Sequence, residues 1–384
     1  MTEFLASVPA ELVDPLPLAQ ALIRCPSVTP EDAGAIDVVR DALARLGFAC
    51  TELVFGQVRN LYAQRGEGRA VVCFAGHTDV VPPGPAAWSV DPFGAVLRDG
   101  ILYGRGAVDM KGNIAAFLSA AARFLSRQPA LRGAIAVVIT GDEEGEAVDG
   151  TARVVEWLGA RGAIPGFVLV GEPTSTAVLG DTVKIGRRGS LTARLAIEGV
   201  QGHVAYPHRA DNPLHRLVRI LNALIAEPLD CGTAWFEPST LQITSVDVGN
   251  AVSNLIPPRA EARLAIRFND RHRRDSLEQW LREVVQAQTD RFSLETTCAG
   301  EAFLSRPGAE VERLVRAIAA TTGVTPRLDT SGGISDARFF AAYGPVAEFG
   351  LVGTTMHQAD EHVLVSELRA LSTIYERVLE DFAS

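Results

Sequence analysis

Histidine and acidic side chains stand at several separate points of the sequence, each just after an apolar run or within a glycine-rich turn. They are His77, Asp79, Asp109, Glu143, Glu144, Glu172 and His357. Each residue alone has a structural explanation: Asp109 could cap a helix, and the acids at 142–144 could form a solvated loop. Together, imidazoles and carboxylates form a ligand set that suits Zn²⁺, Mn²⁺ or Co²⁺. Two such ions about 3.5–4 Å apart need a bridging carboxylate, so the set predicts a binuclear site that activates water.

Other catalytic and binding patterns find no support in the sequence. No GxSxG motif is present, so nothing indicates a serine hydrolase. Residues 104–109 begin like a dinucleotide-binding loop, but Asp109 occupies the third glycine position of that fingerprint. The acids at 142–144 lack the spacing of a calcium-binding EF-hand loop. The five cysteines never form a CxxC pair, which argues against a disulfide framework and a cysteine-bound zinc.

The elements that must position these residues alternate between strand and helix in the first half of the chain. Apolar runs predict buried strands over 71–75, 134–140 and 167–170. Apolar residues at helical spacing predict helices over 32–46, 114–125 and 151–158. This alternation is typical of an α/β fold with a mainly parallel sheet. Ligands bind beyond the carboxyl ends of such strands, so we expect the histidines and acids to meet at one edge of the sheet.

The pattern changes near residue 190. Strands are predicted over 191–197, 241–248, 260–268 and 292–297, with helices over 212–226 and from Asp275, which we interpret as the start of a capping box with Glu278. The order β-α-β-β-α-β is that of a ferredoxin-like unit. After residue 303 the α/β pattern resumes, with helices near 311–320 and 367–379. We therefore predict a catalytic α/β domain, 1–188 and 303–384, interrupted by a ferredoxin-like α+β domain over 189–302.

Composition limits the class of protein. The chain has 384 residues, of which 47% are hydrophobic and 21% charged, and this is the composition of a globular protein rather than a disordered one. The net charge of -10 disfavours nucleic acid as a partner. No apolar run reaches the length that spans a membrane, and the N-terminal segment has no basic cluster of a signal peptide. We expect a cytoplasmic protein with no membrane partner.

Seven motifs together resemble those of one known enzyme family. They are AGHTDVVP, YGRGAVDMKG, DEEG, GEPT, GRRGS, GHVAYPH and SGGISDARF. They resemble the di-zinc deacylase and metallopeptidase family that includes acetylornithine deacetylase, aminoacylase and a glutamate-releasing carboxypeptidase. The resemblance runs from about Ala19 to the C-terminus. GRRGS and GHVAYPH together are similar to the motifs of the desuccinylases within that family.

The resemblance implies a binuclear zinc-hydrolase centre with two Zn²⁺ ions per subunit, for which Co²⁺ or Mn²⁺ can substitute. It implies that His77 and Glu172 hold one ion, that Glu144 and His357 hold the other, and that Asp109 bridges them.

Further roles follow from the same resemblance. It implies that Asp79 orients His77, that Glu143 is the general base, and that the Asp109–Met110 peptide bond is cis. His203 in isolation would be interpreted as a structural residue. The resemblance instead implies that it stabilises the oxyanion in the active site of a neighbouring subunit, within a homodimer formed through the inserted domain.

The resemblance also implies a set of residues that contact the substrate or lie beside it: Arg187, Arg188, Ser190, Tyr206, Asn254, Arg271 and Gly333. Ile334 departs from the family pattern, which usually has a threonine there. The implied reaction is hydrolysis of the amide bond in a small anionic succinylated amino acid. The alternatives are a related di-zinc deacylase, such as acetylornithine deacetylase or aminoacylase, and a non-catalytic binding protein. The latter would be expected to lack Glu143 or a metal ligand.

Overall fold

The structure is a computed structural model and describes residues 10–383. Its α-helices are α1 (Ala10–Val13), α2 (Pro15–Ile23), α3 (Ala35–Arg45), α4 (Lys111–Arg127), α5 (Thr151–Gly159), α6 (Pro213–Ile225), α7 (Arg274–Gln286), α8 (Ala309–Thr322), α9 (Ala337–Ala341) and α10 (Val365–Ala383). Short 3₁₀ turns occur at Pro207–Arg209 and Gly353–Thr355.

The β-strands are numbered in chain order. They are β1 (Ala49–Phe55), β2 (Val58–Arg65), β3 (Ala70–His77), β4 (Val96–Arg98), β5 (Ile101–Tyr103), β6 (Ala134–Thr140), β7 (Val168–Val170), β8 (Thr182–Lys184), β9 (Gly186–Arg187), β10 (Gly189–Glu198), β11 (Gly202–His203), β12 (Thr240–Asp247), β13 (Leu255–Ile256), β14 (Arg259–Phe268), β15 (Phe292–Gly300), β16 (Phe303–Leu304), β17 (Arg327–Asp329), β18 (Val346–Glu348) and β19 (His362–Leu364).

The chain divides into two compact units. The first contains the described residues of Met1–Ile185, Ser305–Asp329 and Ser335–Ser384, and the second contains Gly186–Leu304 and Thr330–Ile334. The second unit is thus slightly longer than the predicted insertion over 189–302. One reason is that β9 pairs with β16, so both flanking strands join the second unit. Another is that the Thr330 hydroxyl donates a hydrogen bond of 2.6 Å to the Trp235 carbonyl.

The central sheet of the first unit has the strand order β1-β2-β6-β3-β7-β18-β8-β17. Its core is parallel: β3 pairs in parallel with β6 and β7, and β7 with β18. The prediction of a mainly parallel α/β sheet is therefore confirmed. The sequence patterns did not predict the antiparallel hairpin of β1 and β2, which extends the sheet beyond β6.

The core of the first unit explains why the apolar runs form strands. Every residue of β6 is buried, as is each residue of β3 from Val72 to His77, so these strands are covered on both faces. Helix α4 is buried along its first three turns and packs against α10. Phe74 of β3 stacks on Phe117 of α4 with ring centroids 4.3 Å apart, and Tyr375 of α10 meets Phe74 edge-on. This packing holds β3 against α4 and α10. Because His77 is the last residue of β3, the same contacts help to fix its position.

A small antiparallel sheet of the first unit, with the order β19-β5-β4, was not predicted. Its strand β5 precedes the turn that carries Asp109, and β19 follows the loop that carries His357. The Gly104 N–H also donates a hydrogen bond of 2.9 Å to the Glu361 carbonyl. This sheet therefore brings together two loops that are about 250 residues apart in the chain.

The second unit contains an antiparallel sheet with the order β12-β14-β10-β15 and the helices α6 and α7. The connectivity β10-α6-β12-β14-α7-β15 confirms the predicted ferredoxin-like arrangement. Burial alternates along β14, as expected for a strand with one covered face. Leu264 of that strand is buried in one cluster with Leu217 of α6 and Leu281 of α7.

The predicted start of α7 is wrong. The helix begins at Arg274, and the N-cap is Arg273 rather than Asp275. The Ser276 hydroxyl accepts a hydrogen bond of 3.0 Å from the Arg273 N–H, so Ser276 does what the sequence pattern assigned to Glu278. Asp275 lies in the first turn, where its charge interacts favourably with the helix dipole.

Among residues 10–383, none of the helices combines the length and the apolar composition that crossing a membrane requires.

Candidate metal centre

His77 is the last residue of β3 and is almost completely buried, at 1% exposure. Its Nδ1 donates a hydrogen bond of 2.9 Å to the backbone carbonyl of Asp79. This bond fixes the ring, as a second hydrogen bond commonly does for metal-binding histidines. The other ring nitrogen, Nε2, therefore faces the acids and lies 3.2 Å from Oδ1 of Asp109.

Asp109 lies between the two histidines. It ends the glycine-rich turn before α4, and the Asp109–Met110 peptide bond is cis, as the resemblance implied. Its Oδ1 lies 3.2 Å from His77 Nε2, and its Oδ2 lies 3.2 Å from His357 Nε2. One carboxylate thus presents a different oxygen to each imidazole, which is the arrangement that a bridging ligand requires.

Two glutamates complete the arrangement. Glu172 follows β7, and its Oε1 lies 3.8 Å from His77 Nε2. Glu144 follows β6, and its Oε1 lies 2.8 Å from His357 Nε2. The candidate ligand atoms form one group from His77, Asp109 and Glu172, and a second from Asp109, Glu144 and His357, each within 4.8 Å. The donor set therefore fits two metal ions that share Asp109.

The acidic loop after β6 gives its three adjacent acids different environments. Asp142 turns inward and accepts backbone hydrogen bonds from Ala147, Val148 and Asp149 at 2.9–3.1 Å, which fixes the shape of the loop. Glu143 and Glu144 are instead grouped with His77. The residue types alone did not distinguish Asp142 from the other two acids. Gly145 and Gly150 stand on either side of the segment that bonds to Asp142, and they were the one sequence feature that could have indicated a tight loop there.

Asp79 connects His77 to this loop. Its carboxylate is fully buried and accepts the backbone N–H groups of Glu143 at 3.2 Å and Glu144 at 3.0 Å. The atom of Asp79 that bonds to the His77 ring is the backbone carbonyl, since its Oδ1 is 3.6 Å from Nδ1. The side chain of Asp79 thus positions the two glutamates while its backbone orients His77.

The electrostatics of the cluster favour bound positive charge. Hydrogen bonds to Asp109 and Glu144 raise the pKa of His357 to about 10. Burial opposes the charged form of His77, yet the hydrogen bond to Asp109 and the negative charge of Glu143 raise its pKa well above the ordinary value. Burial and the charge of Glu172 raise the pKa of Glu143 well above its usual range. The carboxylates of the cluster therefore favour positive charge at the two histidines.

The second unit contains the predicted oxyanion residue and two of the predicted substrate residues close together. His203 on β11 pairs with Leu255 on β13, and the Val204 N–H donates to the Asn254 carbonyl at 3.1 Å. The rings of His203 and Tyr206 are 5.7 Å apart and exposed. The Ala205 N–H donates to His203 Nδ1 at 3.1 Å, so a neutral ring carries its proton on Nε2.

Other predicted substrate residues of the second unit form a separate group. Arg187 Nη1 lies 3.4 Å from the carbonyls of Ser331 and Gly333. Gly332 lies between these two carbonyls and has φ of 107°, a backbone conformation that favours glycine.

The remaining three lie elsewhere in the second unit. Arg188 lies 3.7 Å from Glu237, Ser190 is buried opposite Arg267, and Arg271 is exposed.

Comparison with known sequences places this site in a family context. The family described as "Peptidase family M20/M25/M40" matches residues 73–381, a range that includes every predicted metal ligand. The chain is 60% identical over 368 residues to the succinyl-diaminopimelate desuccinylase of Acidiphilium cryptum, covering 96% of this chain and 98% of that protein. It is 56% identical over 379 residues to the enzyme of the same name from Gluconacetobacter diazotrophicus, covering 98% and 97%.

Solved structures share the fold at low sequence identity. The M20 metallo-carboxypeptidase Sso-CP2 from Sulfolobus solfataricus superposes with a TM-score of 0.76 at 16% identity, covering 95% of this chain and 98% of that one. The YXEP protein of Bacillus subtilis, described as a dinuclear metal-binding peptidase, gives a TM-score of 0.71 at 15% identity, covering 96% and 97%. By its sequence, the chain belongs to peptidase family M20/M25/M40.

Proposed function

We propose that this protein hydrolyses N-succinyl-LL-2,6-diaminopimelate to succinate and LL-2,6-diaminopimelate, a step of lysine and diaminopimelate biosynthesis. The observation that carries the proposal is the Asp109 carboxylate, whose two oxygens each lie 3.2 Å from a different histidine. This geometry fits a binuclear amide hydrolase. The substrate follows from relatives at 60% and 56% identity that carry the desuccinylase name over nearly their full length.

The proposed cofactor is a pair of Zn²⁺ ions, with Co²⁺ or Mn²⁺ as substitutes. When bound, such ions act as Lewis acids and lower the pKa of water. His77 and Glu172 would hold one ion, Glu144 and His357 the other, and Asp109 both. The imidazole and carboxylate donors and the dinuclear metal binding of the similar Bacillus subtilis protein support this assignment.

Glu143 is the proposed general base. Its carboxylate accepts a proton from the attacking water and returns it to the nitrogen of the amide bond as that bond breaks, so that succinate and a free amine leave. The hydrogen bond from the Glu143 N–H to Asp79 supports this role, because it fixes the backbone of Glu143 beside the metal ligands.

His203 is the proposed oxyanion donor, acting in the active site of a partner subunit. His203 Nδ1 accepts a hydrogen bond from the Ala205 N–H. This supports the role, because a neutral ring then carries its N–H donor at Nε2. The exposed position of the ring leaves this donor accessible. A homodimer formed through the second unit is part of the same proposal.

Arginine side chains would select the substrate. Succinyl-diaminopimelate carries three carboxylates, and guanidinium groups bind carboxylates through paired hydrogen bonds. Arg187, Arg188 and Arg271 are the proposed partners, with Ser190, Tyr206, Asn254 and Gly333 beside them. Ile334 offers no hydroxyl, so either a backbone amide replaces the usual threonine contact or the acyl-group specificity differs from that of the family.

A substrate comparison tests the proposal. Purified, zinc-loaded protein is assayed with succinyl-diaminopimelate, acetylornithine and acetyl-amino acids, and the released acid and amine are both quantified. We expect kcat/KM for succinyl-diaminopimelate to exceed the other values by several orders of magnitude. A higher kcat/KM for acetylornithine would show that the arginines select another acyl group. A cytoplasmic location remains a prediction that cell fractionation can test.

A further inference from the structure

Glu361 is a fully buried acid that forms four hydrogen bonds to the turn carrying Asp109. Its Oε1 accepts the backbone N–H groups of Val108 at 2.8 Å and Asp109 at 3.1 Å. Its Oε2 accepts the Gly106 N–H at 3.0 Å and the Arg105 guanidinium at 2.7 Å. The backbone of the bridging aspartate is thus held by a side chain from a distant part of the chain.

A carboxylate is the side chain that can make all four bonds. Both of its oxygens accept hydrogen bonds, whereas a glutamine has one oxygen and one NH₂ group. In Glu361→Gln, the side-chain NH₂ group would therefore take the place of one carboxylate oxygen and would face N–H groups that need an acceptor. Buried donors that lose their acceptor are costly, so the turn would have to shift.

Arg105 extends the same contact to a third loop. Its guanidinium is buried at 1% exposure and donates to the Pro82 carbonyl at 3.2 Å and to the Gln358 carbonyl at 3.4 Å. Pro82 follows the segment of His77 and Asp79, and Gln358 is adjacent to His357. The Arg105–Glu361 pair therefore joins all three loops that carry His77, Asp109 and His357.

The loop between His357 and Glu361 is itself in an unusual conformation. His357 has φ of 61° and Asp360 has φ of 56°, a left-handed region that is uncommon for residues other than glycine but that Asp and His adopt more often than most. Such a conformation persists when surrounding contacts enforce it. Glu361 provides such contacts at one end of the loop, four residues from the imidazole that faces Asp109.

A buried ion pair is not by itself an effective source of stability, because two charges must leave water. A positional role explains the pair better. We propose that Glu361, with Arg105, is a positioning residue that sets Asp109 against His357 and thereby determines how tightly the two metal ions bind. This inference rests on the proposed metal-dependent function, since it assigns Glu361 no contact with substrate or metal.

The test compares Glu361→Gln with Glu376→Gln, a matched substitution in an Arg–Glu pair remote from the site. Glu376 is also buried and bonds to Arg123 at 2.6 Å between α4 and α10. Zn²⁺ and Co²⁺ dissociation constants are measured by chelator competition, and the absorption spectrum of the Co²⁺ protein is recorded. We expect Glu361→Gln to weaken metal binding about 10–100-fold and to change the Co²⁺ spectrum, as loss of outer contacts around a metal site does. Glu376→Gln should leave both unchanged.

Unfolding of the metal-free proteins by urea separates positioning from stability. If Glu361→Gln lowers stability as Glu376→Gln does but leaves metal affinity and spectrum at wild-type values, the proposal is wrong. If Glu361→Gln does not fold, Arg105→Lys decides, because it keeps the charge beside Glu361 but cannot reach both carbonyls. A wild-type affinity and spectrum in that variant would overturn the proposal. Failure of the wild-type protein to bind two ions would instead overturn the proposed function itself.

Discussion

The carboxylate of Asp79 accepts the backbone N–H of Glu144 at 3.0 Å, although the two residues are 65 positions apart in the chain. This bond, with the bond from the Glu143 N–H, attaches the acidic loop after β6 to the segment that holds His77. The residue that orients a histidine on one side of the cluster therefore also fixes a glutamate on the other.

This relationship predicts different effects of two substitutions. Asp79→Ala removes the acceptor of both N–H groups, and we expect kcat to fall at least about 10–100-fold with weaker metal binding. Both variants keep the backbone carbonyl that orients His77, but Asp79→Asn also keeps one side-chain acceptor oxygen, so its loss of activity should be smaller. Steady-state kinetics and the metal content of the two variants show whether Asp79→Ala loses more activity and metal than Asp79→Asn. Equal activity of Asp79→Ala and wild type would contradict the role of the side chain.

Glu143→Gln should abolish most of the activity without loss of bound metal. The substitution keeps the size of the side chain but removes the base, and general acid–base catalysis contributes roughly 10²–10⁴-fold to rates. We expect kcat to fall by that amount while bound zinc stays at the wild-type level. Glu146→Gln, at an exposed position in the same loop, is the control and should retain normal turnover. A Glu143→Gln variant with near-normal kcat and full metal content would refute the assignment.

Metal binding should release protons, and the affinity for metal should therefore decrease as the pH falls. An imidazole must be neutral to bind a metal ion, yet the pKa of His357 in the metal-free protein is raised to about 10. At any pH below that value the metal displaces a proton, so affinity should decrease up to about tenfold per pH unit for each proton released. Calorimetric titrations at pH 6.5 and 8.5, in buffers of different ionisation enthalpy, measure the number released. Identical affinities at the two pH values would contradict the prediction.

The proposed role of His203 in the partner's active site can be tested by mixing two inactive variants. Loss of one oxyanion donor typically lowers kcat about 10²–10³-fold, so His203→Ala should be nearly inactive, like Glu143→Gln. In a mixed dimer, one active site receives both intact residues, and activity should partly return. Verified subunit exchange without recovery, or a stable and fully active monomer, would exclude the role in trans.

The sequence predicted the elements whose signal is local. The apolar runs of β3 and β6 and the alternation along β10 each reflect burial that neighbouring residues already encode. The general ligand chemistry was also visible in the residue types, whereas the division of roles among the acids came from the family resemblance. That division remains a prediction, although the structure groups the same residues.

What could not be predicted depends on contacts between distant segments. Glu361 looks like any acid in the sequence, and its importance comes from the pairing of β19 with β5, which is decided by the whole fold. Asp142 differs from Glu143 because the chain turns back over it. The start of α7 was misplaced because the capping pair is Arg273 and Ser276, two residues before the predicted pair of Asp275 and Glu278, and local propensity does not decide between the two positions.

The most direct test of the binuclear centre is anomalous diffraction at the zinc edge from crystals of the zinc-loaded, active protein. We expect two zinc peaks per subunit, each about 2.0–2.2 Å from a different oxygen of Asp109. One ion should contact His77 and Glu172, and the other Glu144 and His357. A fully active protein with a single zinc ion, and with Asp109 bound to that ion alone, would contradict the binuclear assignment.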